Sequence, residues 1–136
     1  MLAVVDTGPL YAVADADDDD HQHCLAVLER TDLELVIPTM VVAEATYLIG
    51  SRLGPRAEAT FLSGLASLEV EGPSAEDWTA IGRLVESYAD FPLGGTDASV
   101  AVLADRLGTD LIITLDRRHF AAIRSQGGKS YQLLPG

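Results

Sequence analysis

Short apolar runs alternate along this chain with longer stretches of helical periodicity, and this alternation restricts the fold more than any other feature. Three of the runs are typical of buried strands, at residues 3–5, 35–37 and 111–113. Helix-start signals follow the first run, where Pro9 occupies a position tolerated in a first helical turn. Strands that alternate with helices predict an α/β domain with a mainly parallel central sheet.

Two weaker runs complete the predicted sheet. One, at 68–71, is expected to form a short edge strand, and the other lies at 131–134. Between them, Ser74 and Asp77 have the spacing of a helix capping box. The helix that begins there has apolar side chains at intervals of three and four residues, which predicts a stripe facing the core. The residues of this stripe are Trp78, Ile81, Val85 and Tyr88.

The length of 136 residues allows one domain with a substantial core, so we expect a single domain over residues 1–136. The only cysteine, Cys24, excludes an internal disulfide and a cysteine metal cage. The N-terminal apolar run lacks the basic flank of a signal peptide, and no run approaches membrane-spanning length. We therefore expect a cytoplasmic protein with no membrane contact.

The formal net charge of −12, from 21 acidic and nine basic residues, bears on the partners of the chain. It disfavours non-specific nucleic-acid binding, which normally requires a basic surface. It favours cations and a basic protein partner. Net charge does not decide the chemistry of a local site, which depends on where individual acids lie.

Two predicted strands end directly on aspartates, Asp6 and Asp116, and Asp97 opens the helix leading into the second of these strands. Parallel sheets place their sites in a crevice outside the carboxyl ends of the strands, where the strand order switches. If the two strands are neighbours there, Asp6 and Asp116 share one crevice. Taken singly, however, each aspartate is more simply explained as a helix N-cap, worth about 1 kcal/mol.

Glu44 is harder to explain without a ligand. It falls on the same helical stripe as Val41 and Leu48, so we expect it to point toward the apolar side of its helix. It lies too far from Thr39 to complete a capping box, and Arg52, two turns away, is a weak partner. A glutamate in such a place must reach solvent, pair with a cation or bind a ligand.

Four carboxylates converging in one crevice would repel one another, since a pair about 4 Å apart costs ~4 kcal/mol at an effective dielectric near 20. The few basic residues of the chain are scattered and offer little compensation. A hard divalent cation fits best, because an all-oxygen site selects Mg²⁺ or Mn²⁺. Such an ion supports phosphodiester hydrolysis.

The sequence does not decide the roles of the residues that follow Asp116. Arg117 and Arg118 either contact phosphates beside such a metal site or are simply solvated. His119 is better explained as a surface histidine than as a catalytic base. No functional role follows for it from the sequence.

Four segments carry the candidate acids in a recognisable order. They read VVDTGPL at 4–10, VVAEATYLI at 41–49, LGGTDASVAVLADRLG at 93–108 and LIITLDRRHF at 111–120. Together they resemble the PIN domain, and in particular the small VapC-type toxins of toxin–antitoxin pairs. The resemblance spans nearly the whole chain and implies a PIN-like α/β fold, a single domain with about five parallel strands flanked by helices.

The resemblance also implies an activity, a site and partners. The activity is a Mg²⁺- or Mn²⁺-dependent endoribonuclease that cleaves RNA phosphodiester bonds. The catalytic and metal-binding acids matched by position are Asp6, Glu44, Asp97 and Asp116. Thr114 matches the polar residue that often precedes the last acid, and Arg117 and Arg118 are further supporting candidates. The implied partners are an RNA substrate, a second copy of the chain, and a small VapB-type antitoxin that blocks the site.

Two other functions remain open at this point. The DTG sequence at Asp6 to Gly8 is the signature of aspartic proteases, although those proteins are all-β and the predicted helices argue against them. A receiver-type signalling domain also clusters acids around Mg²⁺. It requires two adjacent acids after the first strand and a lysine late in the sheet, whereas one acid follows this strand and Lys129 lies after the last predicted helix.

Overall fold

The computed structural model describes residues 1–136 and contains one sheet of five parallel strands. The strands are β1 (Leu2–Val5), β2 (Glu34–Pro38), β3 (Glu69–Glu71), β4 (Leu111–Ile113) and β5 (Gln132–Leu134). Their order across the sheet is β3-β2-β1-β4-β5. The parallel α/β architecture predicted from the alternation is confirmed, and β3 is the expected edge strand.

The strand order switches at β1, which pairs with β2 on one side and with β4 on the other. Val5 lies opposite Ile113 in the second pair, so β1 and β4 end at the same level. The two strands that carry aspartates at their ends are therefore neighbours at the switch point. This order differs from the 2-1-3-4-5 order of receiver domains, and an aspartic protease is all-β, so both alternative functions are wrong.

Seven helices flank the sheet. They are α1 (Thr7–Ala14), α2 (His21–Leu28), α3 (Thr39–Leu53), α4 (Pro55–Gly64), α5 (Ala75–Ser87), α6 (Gly95–Leu107) and α7 (Arg117–Ala122). Helix α6 packs against β1, β2 and β4, and α5 packs against α6, while α1 and α4 both pack against α3. None of the helices combines the length and the hydrophobicity that a membrane crossing requires.

The hydrophobic core fixes the strand ends on which the acids lie. Val4, Ile37 and Ile112 of the three central strands are fully buried, as are Ile49 of α3 and Val100 of α6. These side chains belong to one continuous apolar cluster. Side chains at the ends of β1 and β4 therefore project from a close-packed base, which limits their freedom.

Helix α5 begins as predicted, and three of its four predicted stripe residues, Ile81, Val85 and Tyr88, pack in or against the core. Ser74 Oγ accepts the Asp77 N–H at 3.1 Å, and the Asp77 carboxylate accepts the Ser74 N–H at 3.0 Å, which confirms the capping box. Trp78 is exposed, so the predicted stripe is wrong at its first position. Asp77 takes the buried side of this turn instead, because its carboxylate also accepts a hydrogen bond from Arg106 of α6 at 2.8 Å.

Candidate active site

A crevice of about 620 Å³ opens at the carboxyl ends of β1 and β4, beside the start of α6. All four predicted acids line it, and no lysine or arginine does. The lining acids are Asp6, Glu44, Asp97 and Asp116. The structure thus brings together side chains from four separate segments, at the switch point where the sequence predicted a shared site.

Asp6 is almost completely buried at the end of β1, with 5% of its surface exposed. Its Oδ2 accepts a hydrogen bond of 2.7 Å from the hydroxyl of Thr114, which follows β4. It occupies the N-cap position of α1 without forming a side-chain capping bond, so capping does not explain it. Burial raises the pKa of Asp6, the Thr114 bond opposes the rise, and Glu44 and Asp116 add to it by repulsion.

Asp116 does cap a helix. It precedes α7, and its Oδ1 accepts the backbone N–H of His119 at 3.1 Å. Its own backbone N–H donates to Thr114 Oγ1 at 2.9 Å, which ties it to the end of β4. The capping interpretation is therefore confirmed for Asp116 and insufficient for Asp6, although both residues end a strand.

Asp97 lies in the first turn of α6, whose N-cap is Gly94. It is therefore not a capping residue, and its carboxylate forms no hydrogen bond within the protein. Burial, followed by repulsion from Asp6 and Asp116, raises the pKa of Asp97 to about 7. A carboxylate that is destabilised in this way gains most from a bound cation.

Glu44 lines the crevice, but the reason given for it from the sequence is wrong. The buried face of α3 consists of Val41, Ala45 and Ile49, four residues apart. Glu44 lies beside this face and is exposed, so it does not point into the apolar core. Its carboxylate reaches solvent at the crevice, where it remains free to bind a ligand.

His119 is the site residue that the sequence did not reveal. Its Nδ1 lies 2.6 Å from Asp116 Oδ2, and its Nε2 lies 3.0 Å from the carbonyl oxygen of Pro92. The hydrogen bond with Asp116 raises the pKa of His119. The sequence does hold one signal for it: a side chain three residues after an N-cap aspartate lies in the first helical turn, next to the capping carboxylate.

The other supporting candidates differ in their placement. Thr114 is buried and bonds to both Asp6 and Asp116, so it belongs to the site. Arg117 and Arg118 are exposed and do not line the crevice. Arg117 donates to the Pro135 carbonyl at 2.8 Å, and the Arg118 guanidinium lies 5.3 Å from the ring centroid of Phe91.

A second cavity, of about 450 Å³, lies between α1, α4 and the sheet. Eleven of its thirteen lining residues are hydrophobic, and none of them is an acid, base or thiol. It therefore lacks the groups that catalysis requires, and the acid-lined crevice is the candidate active site.

The fold and the crevice define a class of α/β proteins with a carboxylate cluster at the carboxyl edge of a parallel sheet. The family model described as PIN domain matches residues 3–125. Ribonuclease VapC26 of Mycobacterium tuberculosis is 38% identical over 134 residues, which cover 97% of this chain and 99% of that protein. The chain therefore belongs to the PIN-domain family and, within it, to the VapC group.

Solved structures agree with this fold. VapC20 of Mycobacterium tuberculosis, a toxin that cleaves the sarcin–ricin loop, superposes with a TM-score of 0.76 at 19% identity, covering 81% of this chain and 86% of that one. DNA-bound VapBC from Salmonella typhimurium gives a TM-score of 0.70 at 20% identity, covering 98% of both chains. Both confirm the predicted five-stranded PIN-like sheet.

Proposed function

We propose that this protein is an endoribonuclease that hydrolyses RNA phosphodiester bonds with a divalent cation, Mg²⁺ or Mn²⁺, held by its four acids. The single observation that carries the proposal is the crevice at the end of β1 and β4, where four carboxylates converge without a lysine or arginine. The 38% identity to a ribonuclease over nearly the whole chain supports the same activity.

The residues present fit such an ion. The donor set consists of carboxylate oxygens, which suits hard cations such as Mg²⁺ and Mn²⁺. Burial and then repulsion from Asp6 and Asp116 raise the pKa of Asp97, and the opposing effect of His119 does not cancel them. One further polar group is unsatisfied at this place: the buried Thr7 hydroxyl, next to Asp6, has no hydrogen-bond partner.

The chain's own residues have separable tasks. Asp6, Asp97 and Asp116 would hold the cation, while Glu44, being exposed, would bind at its edge or orient a water molecule. Thr114 fixes Asp6 and Asp116 relative to each other through its hydroxyl. The bound cation would lower the pKa of water and stabilise the negative charge that develops on the phosphate.

Cleavage of a labelled structured RNA tests the activity. We expect cleavage with Mn²⁺ or Mg²⁺, none with a chelator, and a loss of at least about 100-fold in Asp97→Asn, since even outer-shell metal partners are commonly worth 10- to 100-fold. Asp19→Asn makes the same chemical change in an exposed loop and should leave cleavage unchanged. Cleavage that persists in chelator and in Asp97→Asn would contradict the proposal.

We further propose that residues 1–136 form one domain, that it dimerises, and that it is the toxin of a type II pair neutralised by a VapB-type antitoxin. Related folds occur in a toxin–antitoxin complex from Klebsiella pneumoniae and in a VapBC2 structure from Rickettsia felis. The net charge of −12 suits a basic antitoxin segment. Expression should arrest growth, Asp97→Asn should abolish the arrest, and co-expression of a cognate VapB-type antitoxin should restore growth. Light scattering would test the dimer.

A further inference from the structure

His119 connects the start of α7 with a segment that lies 27 residues earlier in the chain. Its ring nitrogens contact Asp116 at 2.6 Å and the Pro92 carbonyl at 3.0 Å. Pro92 belongs to the segment 88–94, which connects α5 to α6 and is called here the 88–94 loop. Helix α6, which carries Asp97, begins at the end of this loop. His119 therefore contacts one site acid, Asp116, directly and also contacts the loop that leads to a second, Asp97.

Ring packing reinforces this connection. The imidazole of His119 stacks on Phe91 of the 88–94 loop, with centroids 4.8 Å apart and an interplanar angle of 23°. The centroid of the Tyr88 ring lies 6.4 Å from that of Phe91, and the backbone N–H groups of Phe91 and Leu93 both donate to the Tyr88 carbonyl. The side chain of His119 therefore holds the 88–94 loop through both a hydrogen bond and an aromatic stack.

The geometry also decides against the simplest alternative, in which His119 is itself a metal ligand. Its nearest nitrogen lies in one group with carboxylate oxygens of Asp97 and Asp116, all within 4.8 Å of one another. However, the Pro92 carbonyl can only accept a hydrogen bond, so Nε2 carries a proton. Nδ1 faces an oxygen of the Asp116 carboxylate. Neither nitrogen presents a free lone pair to a cation.

We propose that His119 is a positioning residue: Nδ1 fixes the Asp116 carboxylate, and Nε2 anchors the 88–94 loop, so that Asp97 and Asp116 keep the separation at which both reach one cation. The metal part of this inference rests on the proposed metal-dependent function. Outer partners of this kind commonly contribute 10- to 100-fold to metal affinity.

Two substitutions separate the contacts of the ring. In His119→Asn the amide nitrogen occupies the place of Nδ1 and keeps a donor for Asp116, whereas in His119→Gln it reaches toward the place of Nε2 and keeps a donor for Pro92. His119→Ala removes both donors. Calorimetric titration with Mn²⁺ and with Mg²⁺, without RNA, should show a loss of about tenfold for His119→Ala and smaller losses for His119→Asn and His119→Gln, each of which keeps one of the two donors.

Hydrogen exchange of the metal-free protein measures the stability of the 88–94 loop independently of metal binding. The amides of Phe91 and Leu93 should exchange faster in His119→Asn and His119→Ala than in wild type. His119→Gln keeps the Pro92 bond but loses the ring stack, so its exchange rates should lie between those of wild type and of these two variants. If both metal affinity and exchange in all three variants equal those of wild type, the inference is overturned.

Three further outcomes are decisive. Equal losses for Mn²⁺ and Mg²⁺ support positioning. A loss for Mn²⁺ that exceeds the loss for Mg²⁺ shows a direct ligand and overturns the proposal, because imidazole suits later transition metals better than Mg²⁺. A wild-type protein that binds neither ion overturns the proposed function and the metal part of this inference, while exchange at Phe91 and Leu93 still tests the loop part.

Discussion

The hydroxyl of Thr114 donates a 2.7 Å hydrogen bond to Asp6 Oδ2 across the pair formed by β1 and β4. Thr114 Oγ1 in turn accepts the backbone N–H of Asp116 at 2.9 Å. A side chain with 1% of its surface exposed therefore links the acids that end two neighbouring strands. This link exists only because β1 and β4 pair in a register that places Val5 opposite Ile113.

Thr114→Val should weaken both the fold and the site. The substitution keeps the branched shape but leaves the buried Asp6 carboxylate and the Asp116 N–H without their partner, which costs about 1–3 kcal/mol of unfolding free energy. Urea denaturation in chelator measures this loss, and titration with Mn²⁺ should show weaker binding. Thr114→Ser retains the hydroxyl and is the control. Equal stability and metal affinity in the Val and Ser variants would contradict this role.

Asp97→Asn should stabilise the metal-free protein while abolishing cleavage. The Asp97 carboxylate has no hydrogen bond to lose, and neutralising it removes the cost of burying its charge and the repulsion from Asp6 and Asp116. Asp116→Asn is a poorer probe of repulsion, because Asp116 also caps α7 and binds His119. Thermal melts in chelator at pH 8 should show a higher Tm for Asp97→Asn than for wild type.

The advantage of Asp97→Asn should depend on pH with a defined sign. The pKa of Asp97 is about 7 in the folded state against an ordinary value of 3.8, so folding disfavours its ionised form. This penalty is absent below pH 3.8, grows between pH 3.8 and 7, and is complete above pH 7. The Tm difference between variant and wild type should follow the same course. A difference that is constant from pH 4 to pH 8 would rule out the ionised Asp97 carboxylate as its cause.

Arg106→Ala should destabilise the packing of α5 on α6. Arg106 Nε donates to Asp77 at 2.8 Å and Nη1 donates to Glu71 at 3.0 Å, and Asp77 is buried. Leaving this carboxylate without its charged partner costs about 1–3 kcal/mol. Arg83→Ala removes an exposed arginine that forms no ion pair and is the control. Urea denaturation at pH 7 measures both.

The effect of Arg106→Ala should shrink in acid. Burial opposes ionisation of Asp77, but bonds from the Ser74 N–H and Arg106 outweigh it, so the pKa of Asp77 lies below its usual value. Such a group stabilises the fold at pH values above its unfolded pKa, and this contribution is lost as pH falls through the folded pKa. The gap between wild type and Arg106→Ala should therefore be full at pH 7 and narrow below about pH 4. A gap that widens in acid would contradict the assignment.

The sequence predicted the sheet and the positions of Asp6 and Asp116 because the signals were local. A short apolar run that ends in an aspartate before a helix start defines a strand end without further information. Thr114 was found only through the family resemblance, since nothing in its neighbourhood shows that its hydroxyl reaches Asp6. The partner of Thr114 lies 108 residues away and is set by strand pairing.

Glu44 and His119 show where sequence reasoning fails. Glu44 was placed in the crevice for the wrong reason, because a period of three and four residues does not resolve which of two adjacent positions on α3 is buried. His119 was missed because its contact with the Pro92 carbonyl spans 27 residues and depends on how the 88–94 loop folds back. The choice of the buried face on α3 and the contact of His119 with Pro92 are tertiary features that no local pattern encodes.

The sequence leaves the roles of Arg117 and Arg118 open, and we predict that these two side chains contact RNA phosphates. From residue 117 onward the chain contains no acid, and its basic residues there are Arg117, Arg118, Arg124 and Lys129. Neither Arg117 nor Arg118 forms an ion pair, so both keep donors free beside the crevice. In a protein with a net charge of −12, this segment is the natural place for phosphate contacts.

The double variant Arg117→Gln, Arg118→Gln should therefore weaken RNA binding and leave Mn²⁺ affinity unchanged. Binding measured in chelator over a range of salt concentrations should show a shallower dependence, by ~0.7 in the logarithmic slope for each phosphate of a single strand that the variant no longer binds. The double variant Arg30→Gln, Arg83→Gln removes the same charge elsewhere on the surface and is the control. An equal loss of RNA affinity in both double variants would mean that only net charge matters, and that Arg117 and Arg118 do not contact the substrate.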